Sequence, residues 1–261
     1  VVDLPTLSLD TFLVIENFFS LVFATFFGAA LFFFFSRNDL RRQYRGAVTT
    51  SGVVLSIAAY HYFRIFESFK DAYVITGDIA EPTGLIFNEA YRYMDWIITV
   101  PLLVVELIIV LGLSSERRGD LLRKLVPASF AMIALGYPGE LTTSSGQQWL
   151  WWALAMVPFL YILKVLFSEV SQAISEQPQQ VRGLFSLVRS TLVVTWLFYP
   201  IAYLFPIVLG NTGTALALEN IGYAIADITA KAGYGLVIYM IAKKKSEIEN
   251  AEAGVDELAN A

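Results

Sequence analysis

The stretch Asp227-Ile228-Thr229-Ala230-Lys231 lies inside an otherwise apolar run, Ile221 to Ala242. An ammonium in hydrocarbon costs at least about 2.5–3.5 kcal/mol on insertion scales. A chain that keeps one there needs the amine, and the reaction best suited to a desolvated lysine is condensation with an aldehyde to a Schiff base. Asp227 stands one helical turn before Lys231, on the same face, as a counter-ion.

The rest of the 261-residue chain agrees with a membrane setting. It is 56% hydrophobic and 15% aromatic, with a mean hydropathy of +0.60, whereas soluble domains sit near 45–50% apolar. The absence of cysteine and the single histidine exclude disulfides, thiolate metal sites and multi-histidine metal sites. The net charge of −5 says less than its distribution.

About 20 apolar residues cross a bilayer, and seven stretches qualify: 9–36, 47–69, 88–113, 121–139, 147–171, 183–208 and 214–243. The first is too long for a signal-peptide core. An all-α seven-helix membrane domain over residues 1–245 is predicted, followed by a polar, frayed tail, 246–261. Arg37, Arg41, Arg42, Arg45, Arg117, Arg118, Arg123, Lys124 and Lys243 to Lys245 mark one side, and Asp71, Asp78, Glu81, Glu89 and Glu140 the other. The positive-inside bias then puts the N-terminus outside and the C-terminus in the cytoplasm. Between the second and third spans, Thr76-Gly77-Asp78 predicts a small hairpin on the outer face.

The third span runs inward from Arg92 through Asp95 and Thr99 to Glu106. At 100° and 1.5 Å per residue, Asp95 and Glu106 share a face and lie about 16 Å apart along the axis. Thr99 falls one turn from Asp95 on that face, where its hydroxyl is expected to meet the carboxylate. Asp95, near Arg92 and the lysine, is expected to rest ionised and accept a proton. Glu106, among Leu102, Leu103, Val105 and Leu107, is expected to rest protonated and donate one. An acceptor placed outward and a donor placed inward have the polarity of an outward proton pump.

Arg92-Tyr93-x-Asp95-Trp96-x-x-Thr99-x-Pro101-Leu102-Leu103 and Asp227-x-x-Ala230-Lys231 resemble the third- and seventh-helix signatures of microbial (type 1) rhodopsins. Trp196-x-x-Tyr199-Pro200-x-x-Tyr203, Met132 to Gly136 and Trp151-Trp152-Ala153 resemble the same family over the remaining spans. Pro82-Thr83-Gly84 and Gly136-Tyr137-Pro138-Gly139-Glu140 are similar to its xanthorhodopsin-like branch.

The resemblance implies an ion pump rather than an enzyme, a multi-pass protein of the cell membrane carrying all-trans retinal on Lys231. Trp96, Leu103, Met132, Gly136, Trp152, Trp196, Tyr199, Pro200 and Tyr203 would line its pocket. Asp95, Thr99 and Glu106 would be the acceptor, hydroxyl and donor of an outward proton pump, with Asp227 a second counter-ion and Arg92 shielding the outward route. His61 resembles the histidine that pairs with the acceptor aspartate, and Ser51 is expected to assist Glu106. Glu219 corresponds by spacing to one of two release carboxylates in bacteriorhodopsin, but no acid stands near Val208 to complete that pair. Leu103 occupies a position associated with green absorption.

One departure from the family concerns its antenna. Members that bind a carotenoid have glycine where this chain has Trp152, so no antenna is expected. The family also implies a homo-oligomer, trimeric or pentameric, and neither a soluble transducer nor nucleic acid as partner. A photosensor of the same fold is the nearest alternative. A seven-helix receptor or transporter without a chromophore is the alternative of another class.

Overall fold

The computed structural model describes residues 4–259, with side chains described for 4–254. Seven antiparallel spans form the bundle. The first four are α1 (Leu9–Ser36), α2 (Arg42–Asp71), α3 (Tyr91–Leu111) and α4 (Ser115–Glu140). The fifth comprises α5 (Ser145–Val165), a wide π turn at Leu166–Val170 and α6 (Ser171–Ser175); the sixth comprises α7 (Gln179–Ala202) and α8 (Phe205–Leu209). In the seventh, α9 (Gly213–Asp227) and α10 (Tyr234–Ala259) flank a second π turn, Ile228–Gly233.

Local chemistry sets the helix ends. Ser8 caps α1 by accepting from the Thr11 amide at 3.2 Å, and Thr212 caps α9 by accepting from Ala215 at 3.1 Å. Gly112 ends α3 at φ +69, a left-handed conformation that a side chain would strain.

Five spans are long and apolar enough to cross a membrane by composition alone. The other two, α2 and α4, carry more charge at their ends, and the bundle around them completes the set. In α1, Phe12, Ile15, Phe19, Val22, Phe26, Ala30 and Phe33 form one buried stripe, while Leu21, Phe27 and Phe35 face outward. That inward periodicity of three and four is the helical repeat. Lipid, not water, is the solvent that the outward apolar face suits.

The hairpin forms where the turn residues place it, as β1 (Leu7–Ser8), β2 (Tyr73–Thr76) and β3 (Ile79–Pro82) in a sheet of order β1-β3-β2. Gly77 opens its two-residue turn at φ +63. The edge strand β1 was not expected. It is only two residues long, too short to carry a periodic signal. Burial beside Glu89 raises the Tyr73 hydroxyl above the usual tyrosine range, and that hydroxyl donates to Pro5 O at 3.1 Å.

The frayed tail is corrected by the structure, because α10 continues through the start of that segment. Ser246 Oγ accepts from the Arg41 amide at 3.0 Å, and Glu249 accepts from Arg41 at 3.2 Å and from Gln43 at 2.7 Å. Tyr44 donates to the same carboxylate. These bonds tie the end of α10 to the start of α2. Residues 255–261 of the expected tail lie outside the described side chains.

Candidate retinal site and proton relay

Arg92, Asp95, Thr99, Glu106, Asp227 and Lys231, deep in the bundle, are each 3% exposed or less. Lys231 sits on the π turn of the seventh span, a feature that recurs at functional sites because it re-aims a side chain. Its Nζ lies 2.7 Å from Asp227 Oδ1 and 3.0 Å from Asp95 Oδ2. A buried cation is thereby matched by two carboxylates from different helices.

The two carboxylates are held differently. Asp227 accepts from Tyr62 at 2.8 Å, from Tyr199 at 2.5 Å and from Lys231 at 2.7 Å. Asp95 touches the amine, yet neither of its oxygens has a hydrogen-bond partner of good geometry. The expected Thr99 contact is corrected: its hydroxyl donates to the Asp95 backbone carbonyl at 2.9 Å, not to the carboxylate. A threonine within a helix commonly bonds back to the carbonyl four residues earlier.

Glu106 is 0% exposed, with Ser51 Oγ donating to its Oε2 at 2.5 Å and Oε1 unpartnered. Ser51 and Tyr62 are 11 residues apart on α2, as Asp95 and Glu106 are on α3. Eleven residues is three turns, so each helix presents both its members on one face.

His61 is not brought into a hydrogen bond with Asp95. It is half-buried, and its Nδ1 lies 3.0 Å from Ile57 O in its own helix. The buried stripe of α2 runs through Ser51, Leu55, Ala58, Tyr62 and Ile65, and His61 sits 100° away from Tyr62. Tyr62, its unremarked neighbour, is the residue that reaches the counter-ion. That interior stripe was the signal that could have identified it.

Beside Lys231 lies a cavity whose walls include every expected pocket residue: Trp96, Leu103, Met132, Gly136, Trp152, Trp196, Tyr199, Pro200 and Tyr203. Gly136 keeps one wall thin, since a Cβ there would meet the Tyr93 ring at 3.1 Å. Trp96 packs edge-on against Tyr199 and Tyr223, with ring centroids 5.1 and 5.5 Å away, and those two tyrosines stack on each other at 5.8 Å. Trp152 Nε1 donates to Pro200 O at 3.0 Å, which fixes the indole across the fifth and sixth spans. An apolar, aromatic-walled cavity with a buried amine in its lining fits an apolar aldehyde, and retinal is one.

Arg92 closes the site on the hairpin side. Its guanidinium donates to Glu89 at 2.9 Å and also to Asn220. Beyond it is a cavity of about 300 Å³ bordered by Glu89, Glu140 and Glu219. Glu219 therefore has acidic neighbours, although none comes from the region of Val208. Their positions in other connections hid this grouping from a reading by spacing. No group of three metal-ligating side chains occurs among the described residues.

Known proteins agree with this geometry. A family profile described as "Bacteriorhodopsin-like protein" matches residues 14–245. Green-light absorbing proteorhodopsin from Gamma-proteobacterium EBAC31A08 is 30% identical over 229 residues, 87% of this chain and 86% of that protein. The solved structure of xanthorhodopsin, described as a light-driven ion pump with dual chromophore, superposes with a TM-score of 0.91 at 44% identity, covering 95% of this chain and 99% of that one. Thermophilic rhodopsin gives a TM-score of 0.91 at 43% identity, covering 94% and 99%. A bundle with a buried lysine between two aspartates, a profile match across nearly every span and superposition on solved rhodopsins together place this multi-pass membrane protein in the bacteriorhodopsin-like family of microbial rhodopsins.

Proposed function

We propose that the protein is a light-driven outward proton pump carrying all-trans retinal on Lys231. The observation that carries this reading is the unequal treatment of three buried acids. Asp227 is held by two tyrosine hydroxyls and the amine, Asp95 by the amine alone, and Glu106 waits three turns inward on the face of Asp95.

Lys231 Nζ would hold retinal, which would supply photon absorption and a light-driven change of shape. Asp227 already accepts hydrogen bonds from Tyr62, Tyr199 and Lys231, so its oxygens are engaged. Asp95 has lone pairs free, so it takes the proton that leaves Nζ. Glu106 holds its proton on the unpartnered Oε1 while Ser51 fixes Oε2, and it returns a proton to Nζ from the cytoplasmic side. Arg92, anchored by Glu89 and Asn220, separates Asp95 from the outward cavity and sets the direction of loss. Each charge moved against the membrane potential takes about 2.3 kcal/mol per 100 mV.

Xanthorhodopsin is described as having a dual chromophore, but here Trp152 stands over the pocket, pinned to Pro200. We expect retinal as the sole chromophore, without a carotenoid antenna. His61 acts, on this reading, outside the direct proton path. The bundle works as a trimer or pentamer in the bilayer, to be checked by native mass spectrometry, and needs no soluble transducer.

The test is light-driven proton movement in liposomes. Adding retinal to the apoprotein should give a visible absorption band. Illumination should then change the pH across the membrane, and an uncoupler should abolish the change. A coloured protein that moves no protons would refute pumping and favour a photosensor.

A further inference from the structure

A second buried lysine, Lys245, lies at the cytoplasmic end of the bundle and plays no part in the relay described above. It is 7% exposed. Its Nζ donates to Val110 O at 3.2 Å and Leu111 O at 3.0 Å, the last carbonyls of α3, and to Gln177 Oε1 at 2.9 Å in the connection between the fifth and sixth spans. The ammonium also lies 5.0 Å from the Tyr44 ring centroid of α2 and 5.8 Å from that of Phe185 on α7. One cation thus joins the ends of four spans and a connection.

The position bears directly on Glu106. Val110 is one turn after Glu106 on the same face of α3, about 6 Å along the axis. Ile109, Leu111, Gly112 and Lys245 line a cavity of about 510 Å³ at this end. The α3 residues that follow Glu106 toward that end include Leu107, Ile108 and Val110, each 0% exposed, so this part of the bundle is a packed plug. Gly112 leaves room beside Nζ, since a Cβ there would lie 3.1 Å from it. A cation on the final carbonyls of a helix is favoured by both hydrogen bonding and the helix dipole.

We propose that Lys245 is a positioning residue that latches the cytoplasmic mouth of the bundle, controlling how fast protons from the 510 Å³ cavity reach Glu106. The proposal rests on Glu106 being the internal donor. While Nζ holds the end of α3 against the 177 region, the packed plug stays closed. Release of these bonds frays the last turn of α3 and connects Glu106 to water.

The experiment compares the retinal-loaded protein with its Lys245→Met and Gln177→Ala variants in the dark. Infrared spectroscopy in D2O follows exchange of the Glu106 carboxyl proton, with Glu106→Gln identifying the band. Exchange mass spectrometry follows the backbone amides of residues 107–113. Losing a charge-assisted hydrogen bond should accelerate both exchanges about tenfold in Lys245→Met, and less in Gln177→Ala. The visible band should not shift, which separates unlatching from damage to the pocket. Amide exchange as slow in both variants as in the parent overturns the latch. Because these readouts are taken in the dark, they are independent of pumping. If liposomes show no proton transport but exchange still accelerates, the pump reading fails and the latch stands.

Discussion

Glu106→Gln tests the donor most directly. The amide keeps the shape of the side chain and can still accept from Ser51, now 2.5 Å from Oε2, but it has no acidic proton. Glu106 lies about 16 Å from Asp95 along α3, and Lys231 Nζ is only 3.0 Å from Asp95. The returning proton therefore crosses more than a direct contact, needing several hydrogen-bonded links of about 2.8 Å each. A positioned acid in such a transfer is worth about 10²–10⁴-fold in rate. Reprotonation of Nζ, followed by flash spectroscopy, should slow by about that factor in the variant. It should also become proportional to the proton concentration on the cytoplasmic side, falling about tenfold per pH unit, because the bulk replaces the internal donor. The first step, loss of the proton to Asp95, should keep its rate. A variant with unchanged, pH-independent reprotonation would refute the donor role.

Other variants probe the remaining parts of the site. Lys231→Ala should give a protein that forms no coloured adduct with all-trans retinal, read by absorption spectroscopy. Asp95→Asn should abolish light-driven acidification of a cell suspension while shifting the band to the red, since the acceptor charge beside Nζ is lost. Tyr62→Phe removes a buried hydrogen bond to Asp227 of 2.8 Å, so thermal unfolding should reveal destabilisation of about 1.5–3 kcal/mol. Trp152→Gly should lose the bond to Pro200 and open the side of the pocket. Energy transfer from an added carotenoid, seen in excitation spectra, should then occur in the variant and not in the parent.

Much of this protein is legible along single helices. The spans, the shared face of Asp95 and Glu106 and the Asp227–Lys231 pair all follow from 3.6-residue periodicity. The hairpin followed from its Gly77-Asp78 turn. His61 and Thr99 illustrate the limit. A resemblance pointed His61 at Asp95 and helical phase pointed Thr99 there, but each instead satisfies a backbone carbonyl of its own helix, at Ile57 and Asp95 respectively. The tail looked frayed because its residues are polar. Its helix is held by Arg41, Gln43 and Tyr44, which lie more than 200 positions earlier in the chain.

The chain alone determines that a lysine and an aspartate share a turn in mid-membrane and that two acids line one face of another helix, because helical phase is a local property. Only the tertiary structure decides that Asp95 and Asp227 meet one amine, that Tyr62 and Tyr199 satisfy Asp227 and leave Asp95 free, and that Ser51 fixes Glu106. Tyr62 and Asp227 are 165 residues apart. Which faces of distant helices meet depends on how the whole bundle packs, and no single segment encodes that.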